Sequence, residues 1–151
     1  MARILATCAA ALRNLDAAVA ASRLLGPAVL FSAHGNGFGV RGSLMAAPSA
    51  FIGLTYRYPG FVSTTSDPAF CDAFLAKRRT TASRPTMLEI GLPDGFPGVD
   101  IRHGGHAGEA EILLGRDIPF LVVDADIVDG DVLWLVLEPQ TAAGAVSQEL
   151  G

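Results

Sequence analysis

Two glutamates, Glu109 and Glu111, are separated by a single residue at the end of a glycine-rich stretch. Their side chains point to the same side only where the backbone is extended, because a strand alternates its faces with period two. The apolar run 112–114 that follows them predicts a strand entering the core. Two like charges held side by side at such a junction are costly and serve no packing purpose. The pair is therefore a candidate for chemistry, and a solvated strand end is the alternative interpretation.

Further polar residues stand at the ends of two predicted strands upstream. Ser63, Thr64 and Thr65 close a short β-prone segment, and His34 follows a buried strand predicted over 28–33. The three hydroxyl residues are ordinary strand residues by propensity. His34 beside a glycine-rich turn is as readily a loop histidine as a ligand. These residues gain interest only from the acid pair downstream.

Periodicity and turn residues predict the elements that must position these groups. A first helix is predicted over 12–25, ending at Gly26-Pro27. A second helix is predicted over 69–79, because Asp67 is a suitable N-cap and Pro68 suits the first helical position. The predicted strands, in chain order, are 28–33, 54–58, 61–65, 86–92, 112–114, 119–123 and 132–137, with a further extended piece at 99–101. This order indicates one α+β domain over 1–151, with a helical N-terminal part at 1–26 and a frayed tail at 140–151.

The composition is typical of a folded, soluble domain. Half of the 151 residues are hydrophobic and 17% are charged. A net charge of −4 provides no general attraction to nucleic acid. No apolar run is long enough to span a membrane, and an amphipathic helix explains the first residues better than a signal peptide does. We therefore expect a soluble protein with no membrane partner.

The cysteines and histidines show no metal-binding pattern. Cys8 and Cys71 are far apart and match no metal or redox spacing, and their redox state stays open. His103 and His106 lie close to the acid pair, but no further fixed ligand completes a metal site with them. We expect no metal.

The order of these segments resembles the mono-ADP-ribosyltransferase family over about 15–123. Phe61-Val62-Ser63-Thr64-Thr65 resembles the Ser-Thr-Ser/Thr strand of the family, and Glu109-Ala110-Glu111 resembles its Glu-x-Glu pair. The resemblance implies two packed, mainly antiparallel β-sheets around an NAD cleft, with helices on the N-terminal side. It also implies a toxin-like or effector-like enzyme that uses NAD as its substrate. Such an enzyme is secreted or delivered as a toxin, and a cytoplasmic location is the alternative.

The family transfers ADP-ribose from NAD to a nucleophile and releases nicotinamide. By resemblance, Glu111 holds a ribose hydroxyl and stabilises the positive charge that develops as nicotinamide leaves. Glu109 orients or deprotonates the acceptor, Ser63 holds Glu111, and Thr64 and Thr65 line the same strand end. A Glu-x-Glu pair usually accompanies arginine as acceptor, so we expect a protein arginine, with small guanidines and nucleic acid bases left open.

Two other functions stay open at this stage. One is an NAD glycohydrolase on the same fold, with water as the acceptor. The other is a degenerate, non-enzymatic domain that binds NAD or another protein.

The first-strand arginine of the family has no clear counterpart here. His34-Gly35 stands close to the expected distance before Ser63, and the poly-ADP-ribose polymerase branch uses a His-Gly at this strand end. Arg41-Gly42 lies closer to Ser63 than the family spacing, but an arginine fork pairs with a pyrophosphate and a neutral histidine does not. Arg57 is a more distant third candidate. His34 has the better position and Arg41 the better chemistry, so both stay open.

Overall fold

The computed structural model describes residues 2–34, 47–78, 85–101, 111–129, 132–140 and 149–150. The described residues form two α-helices, one 3₁₀-helix and nine strands. The helices are α1 (Ala2–Ala21), α2 (Pro68–Arg78) and the 3₁₀-helix Pro48–Phe51. The strands are β1 (Ala28–His34), β2 (Thr55–Tyr56), β3 (Val62–Thr65), β4 (Thr86–Leu92), β5 (Val99–Asp100), β6 (Glu111–Leu114), β7 (Phe120–Val128), β8 (Val132–Pro139) and β9 (Glu149–Leu150). The predicted α+β class is confirmed.

The strands hydrogen-bond in the order β5-β6-β3-β1-β4-β8-β7-β2-β9. Neighbouring strands are antiparallel except for the β4–β8 and β2–β9 pairs, which are parallel. The β1–β4 ladder runs from the Ala28↔Leu92 pair to the His34↔Thr86 pair. The sheet is therefore mainly antiparallel, as predicted.

The sheet must fold over on itself, because a short connection joins β6 to β7, which are far apart in the strand order. In a flat sheet β6 and β7 would lie about 24 Å apart, since four strands separate them. Residues 115–119 join Leu114 to Phe120, and six extended residues reach only about 20 Å. Within this connection Asp117 N donates to Tyr58 O at 2.9 Å. The two packed sheets expected from the family are thus two halves of one continuous hydrogen-bonded sheet.

Both halves contribute to one apolar core. Its buried side chains come from β1, β3, β4, β6, β7, β8, β2 and the 3₁₀-helix; they include Leu30, Val62, Ile90, Leu114, Val122, Leu135, Tyr56 and Phe51. Burial of these side chains is the main source of stability for the fold. A second cluster lies beneath α2, where Cys71 and Leu75 pack against Met87 and Val132.

One helix covers both the amphipathic start of the chain and most of the helix predicted over 12–25, and it ends earlier than predicted. It begins at Ala2 and stops at Ala21, not at residue 25. The reason is tertiary: Leu24 N donates to Phe96 O at 3.0 Å, and Gly95 N donates to Leu24 O at 3.2 Å. These bonds take the backbone groups that further helix would need. The helix is also tied to the β6–β7 connection by a two-bond ion pair, with Arg116 Nε donating to Asp16 Oδ1 at 3.0 Å.

The second helix follows its prediction closely. Pro68 is its first residue, and Ala69 N donates to Asp67 Oδ1 at 2.9 Å. Asp67 therefore caps the helix as its sequence position suggests. Because α2 begins directly after β3, the cap also holds the turn that follows Thr65.

The chain end departs from the predicted frayed tail. Glu149 and Leu150 pair in parallel with Thr55 and Tyr56 of β2. Gln140 is also held, since its N–H donates to Pro119 O at 2.8 Å. The tail prediction is wrong for these residues, because their partners lie far away in sequence and local composition cannot reveal them. Among the described helices, none combines the length and the hydropathy that crossing a bilayer requires.

Candidate active site

Ser63 and Glu111 meet across the β3–β6 pair. The antiparallel register sets Thr65 opposite Glu111 and Ser63 opposite Leu113. Period-two alternation places Ser63, Thr65 and Glu111 on one face, with Ser63 diagonal to the acid. Ser63 Oγ donates a hydrogen bond to Glu111 Oε1. The serine of the Ser-Thr-Thr segment therefore contacts the second acid of the pair, which holds that carboxylate in a defined orientation.

The two threonines of the segment have different contacts. Thr64 is buried on the opposite face, and its Oγ1 donates to Ile112 O at 2.7 Å. This bond ties β3 to β6 directly beside Glu111. Thr65 Oγ1 accepts a hydrogen bond from Asp67 N at 3.1 Å, in the turn that leads into α2. Thus Ser63 orients the acid, while Thr64 and Thr65 fix the strand and the turn around it.

His34 is the last residue of β1 and lies beside this group. Its Nε2 is 3.0 Å from Ser32 Oγ, and its ring lies 5.8 Å from the Tyr58 ring, measured between centroids. Burial lowers the pKa of His34 to about 4. The imidazole is therefore neutral near pH 7 and offers no positive charge for a phosphate group.

Ser32 is a site residue that the sequence interpretation missed. It is 4% exposed, and its Oγ donates to Ser63 O at 2.9 Å. A serine inside the apolar run 28–33 was the available signal, since a buried hydroxyl needs a hydrogen-bond partner. The identity of that partner was not visible in the sequence.

A cleft of about 330 Å³ opens over these residues, within the usual range for small-molecule sites. Ser63, Thr65 and Glu111 form its polar side, and Phe31 and Phe70 contribute apolar surface. Its lining includes Ser32, Ala33 and Thr64 but not His34.

Cys71 also lines the cleft, as a free thiol. Burial raises its pKa to about 11, so the thiol stays protonated near neutral pH. Cys8, which is exposed, is free as well. Among the described residues no group of three or more His, Cys, Asp or Glu side chains could hold a metal ion.

The remaining predicted residues divide into two groups. Arg57 is described: it follows β2, is exposed, and its Nη1 donates to Asp117 O at 3.3 Å. It does not line the cleft. The other predicted residues, Glu109, Gly35, Arg41 and Gly42, lie outside the described residues, as do His103 and His106.

The structure is an α+β domain in which Glu111, hydrogen-bonded by the Ser63 hydroxyl, lines a cleft formed by β1, β3, β6 and α2. The family model described as ADP-ribosyltransferase exoenzyme matches residues 10–142. The chain belongs to this family. A search of curated proteins finds no significant match.

Several solved structures of similar fold are bacterial ADP-ribosyltransferases. The Vis ADP-ribosyltransferase of Vibrio splendidus, solved with agmatine, superposes with a TM-score of 0.69 at 20% identity, covering 95% of this chain and 63% of Vis. Plx2a of Paenibacillus larvae gives a TM-score of 0.69 at 17% identity, covering 86% and 69%. C3stau2 of S. aureus, solved with NAD, gives 0.67 at 16% identity, also covering 86% and 69%. At these identities the likeness establishes the fold, and the chain spans less than two thirds of the length of the Vis chain.

Proposed function

We propose that the chain is an NAD-dependent mono-ADP-ribosyltransferase in which Glu111 is the central catalytic residue. The observation that carries the proposal is the hydrogen bond from Ser63 Oγ to Glu111 Oε1 at the edge of the cleft. A carboxylate held in one orientation can stabilise positive charge without reorganising during the reaction. Membership in the exoenzyme family supports the same activity.

In the proposed step, the bond between ribose C1′ and the nicotinamide nitrogen breaks, and its electron pair stays on nicotinamide. A lone pair of the acceptor forms the new bond to C1′, and the proton of the acceptor passes to Glu109. Glu111 stabilises the positive charge on the ribose and accepts a hydrogen bond from a ribose hydroxyl. An extended backbone would bring Glu109 to the same face as Glu111, which suits its proposed role as base.

NAD is the proposed donor, and the guanidinium group of a protein arginine is the proposed acceptor. C3stau2 was solved with NAD and Vis was solved with agmatine. Agmatine carries the guanidinium group of arginine, which supports an acceptor of that chemistry. The exoenzyme family also supports a role as a soluble toxin or effector that acts after delivery into another cell.

In the family, an arginine on the first strand pairs with the NAD pyrophosphate. We propose that Arg41 takes that role in this chain. A neutral His34 cannot form a charge-assisted pair with phosphate, whereas an arginine fork can. Arg41→Ala should therefore raise the KM for NAD about tenfold, and His34→Gln should raise it less. The reverse order would assign the role to His34.

Nicotinamide release from NAD tests the central proposal. Glu111→Gln should lower kcat at least about 100-fold, because the amide keeps the shape but loses the negative charge. Glu138→Gln changes an exposed glutamate on β8 in the same way, and it should release nicotinamide at the wild-type rate. A wild type that releases none, or a Glu111→Gln variant that releases it undiminished, contradicts the proposal.

An NAD glycohydrolase is the alternative, because the Ser63–Glu111 pair would serve hydrolysis equally and water needs no dedicated base. Agmatine as an added acceptor separates the two activities. A transferase should form ADP-ribosyl-agmatine, and Glu109→Gln should abolish that product while nicotinamide release continues. A wild type that forms only free ADP-ribose in this assay is a hydrolase.

A further inference from the structure

The two strands beside β1 pair with it to different extents. On the β4 side, Cα partners continue to the end of the strand, where His34 faces Thr86. On the β3 side, the Cα partners are Phe31 and Thr65. Continuing that antiparallel register would set Ala33 opposite Ser63, but the Ser63 carbonyl instead accepts from the Ser32 hydroxyl at 2.9 Å. A side chain thus joins β1 to β3 at the point where the backbone pairing stops and the cleft opens.

The hydrogen bonds around Ser32 specify where the protons lie. A serine hydroxyl has one hydrogen, and the Ser63 carbonyl can only accept, so the hydrogen of Ser32 points to Ser63 O. The 3.0 Å contact between Ser32 Oγ and His34 Nε2 is then a hydrogen bond only if Nε2 donates. The geometry therefore places a hydrogen on Nε2, and in the neutral imidazole Nδ1 then carries none. The low pKa of the buried His34 agrees with a neutral ring.

We infer that Ser32 is a positioning residue that links the Nε2–H of His34 to the backbone of Ser63 and thereby aims the Ser63 hydroxyl at Glu111. This role rests on the proposed function for its effect on catalysis. Three hydrogen bonds follow one another. His34 Nε2–H donates to Ser32 Oγ, Ser32 Oγ–H donates to Ser63 O, and Ser63 Oγ–H donates to Glu111 Oε1. Ser32 touches neither the reacting atoms nor Glu111, and it acts through Ser63.

The chain of bonds has a physical consequence for Ser63. Its carbonyl is held by β1 and its hydroxyl contacts β6, so both ends of the residue are restrained. Removing the Ser32 hydroxyl takes away the donor to Ser63 O and the acceptor for His34 Nε2–H in a buried place. The β3 backbone can then shift toward β6, and the Ser63 hydroxyl samples other rotamers. Orientation of Glu111 is lost without any change in a group that contacts NAD.

The first test needs no enzymatic activity. Long-range ¹H–¹⁵N spectra of the full chain labelled at histidine should show His34 with a protonated Nε2 and an unprotonated Nδ1. Three-bond couplings of Ser63 should report one χ1 rotamer. In Ser32→Ala, the His34 tautomers should mix and the Ser63 couplings should average. A wild-type His34 protonated on Nδ1, or a Ser63 rotamer unaffected by Ser32→Ala, overturns the inference.

The second test measures catalysis. Ser32→Ala should lower kcat for nicotinamide release about tenfold and change the KM for NAD less than about threefold, whereas Ser32→Thr, which keeps the hydroxyl, should recover most of kcat. Thr55→Val removes another buried hydroxyl, one that donates to Gln140 Oε1 at 3.0 Å far from the cleft, and it should leave kcat unchanged. An equal loss of kcat in Thr55→Val, or no loss in Ser32→Ala, contradicts the positioning role. If the wild type releases no nicotinamide, the proposed function fails, and the spectra still decide whether Ser32 holds Ser63.

Discussion

Strand β1 has two neighbours that hold it by different means. On the ladder side, formed by β1, β4 and β8, continuous backbone pairing joins the strands and their inward side chains are apolar. On the hydroxyl side, formed by β1, β3 and β6, the hydroxyls of Ser32, Ser63 and Thr64 supply hydrogen bonds between strands. Most of the buried core residues lie on the ladder side, although Val62 and Leu114 of the hydroxyl side also pack into the core. The candidate active site lies on the hydroxyl side.

The two sides separate the interactions that stabilise the fold from those that position the candidate catalytic groups. The hydrogen bonds of a backbone ladder use N–H and C=O groups that every residue except proline carries, and the apolar side chains on the ladder supply the stabilising burial. Side-chain hydrogen bonds depend on one particular atom, and each contributes little net stability when it can be replaced by water. Substitutions on the ladder side should therefore change folding first, and substitutions on the hydroxyl side should change activity first.

The largest effect is expected on the ladder side, from Leu135→Ala. Leu135 on β8 is 0% exposed and faces Leu88 of β4 across the parallel pair. Removing its side chain leaves a cavity, which should lower the free energy of unfolding by about 2–5 kcal/mol. Urea denaturation measures this. Leu12→Ala on α1, where the leucine is 42% exposed, is the matched control and should stay within about 0.5 kcal/mol; equal losses in the two variants would show that the ladder side does not carry the core.

A smaller free-energy effect, seen in activity, is expected on the hydroxyl side from Ser63→Ala. Loss of the bond to Glu111 should lower kcat for nicotinamide release about 10- to 100-fold, because the carboxylate is no longer oriented. The free energy of unfolding should fall by less than about 1 kcal/mol, because Ser63 is exposed and water can replace the hydroxyl.

Ser22→Ala is the control for that variant, since the Ser22 hydroxyl donates to Ala18 O at the end of α1, away from the cleft. Its kcat should equal that of the wild type. The comparison between the two sides would break if Ser63→Ala destabilised the fold strongly or if its kcat stayed at the wild-type value.

A further effect, confined to acidic pH, is expected from His34. The folded state holds the pKa of His34 near 4, below the ordinary value of 6.5, so between these values the unfolded chain binds a proton that the folded chain does not. Stability should therefore be full above pH 6.5 and fall as the pH drops toward 4, by about 3 kcal/mol from this residue.

His34→Gln removes that titration. The Tm of the variant should fall less than the wild-type Tm between pH 7.5 and pH 4.5, while the carboxylates that also titrate at low pH affect both proteins alike. Parallel Tm curves for the two proteins would mean that His34 is not held in its neutral form on the hydroxyl side.

Local patterns predicted the parts of the fold that depend on near neighbours. The strand predicted over 86–92 coincides with β4, and the Asp67 cap with Pro68 at the first position begins α2 as expected. The predictions that were wrong involve distant partners. Leu24 leaves the helix to pair with Phe96, and Glu149 joins β2 in place of a frayed tail.

The candidate site likewise has features that near neighbours in sequence specify and features that depend on distant partners. Local sequence patterns place Ser63 on a short strand and Glu111 at a junction between a loop and a strand, each on a face set by the period-two alternation of a strand. The sequence also made both residues recognisable, since the Ser-Thr-Thr and Glu-x-Glu patterns are short. The family resemblance implied that Ser63 holds Glu111, and the fold brings these two residues into contact across 48 positions of sequence. The contact by which Ser32 holds Ser63, across 31 positions, is visible in the tertiary structure alone. The neutral state of His34 belongs to the same group, because burial and hydrogen-bond partners arise only when β1, β3 and β6 come together.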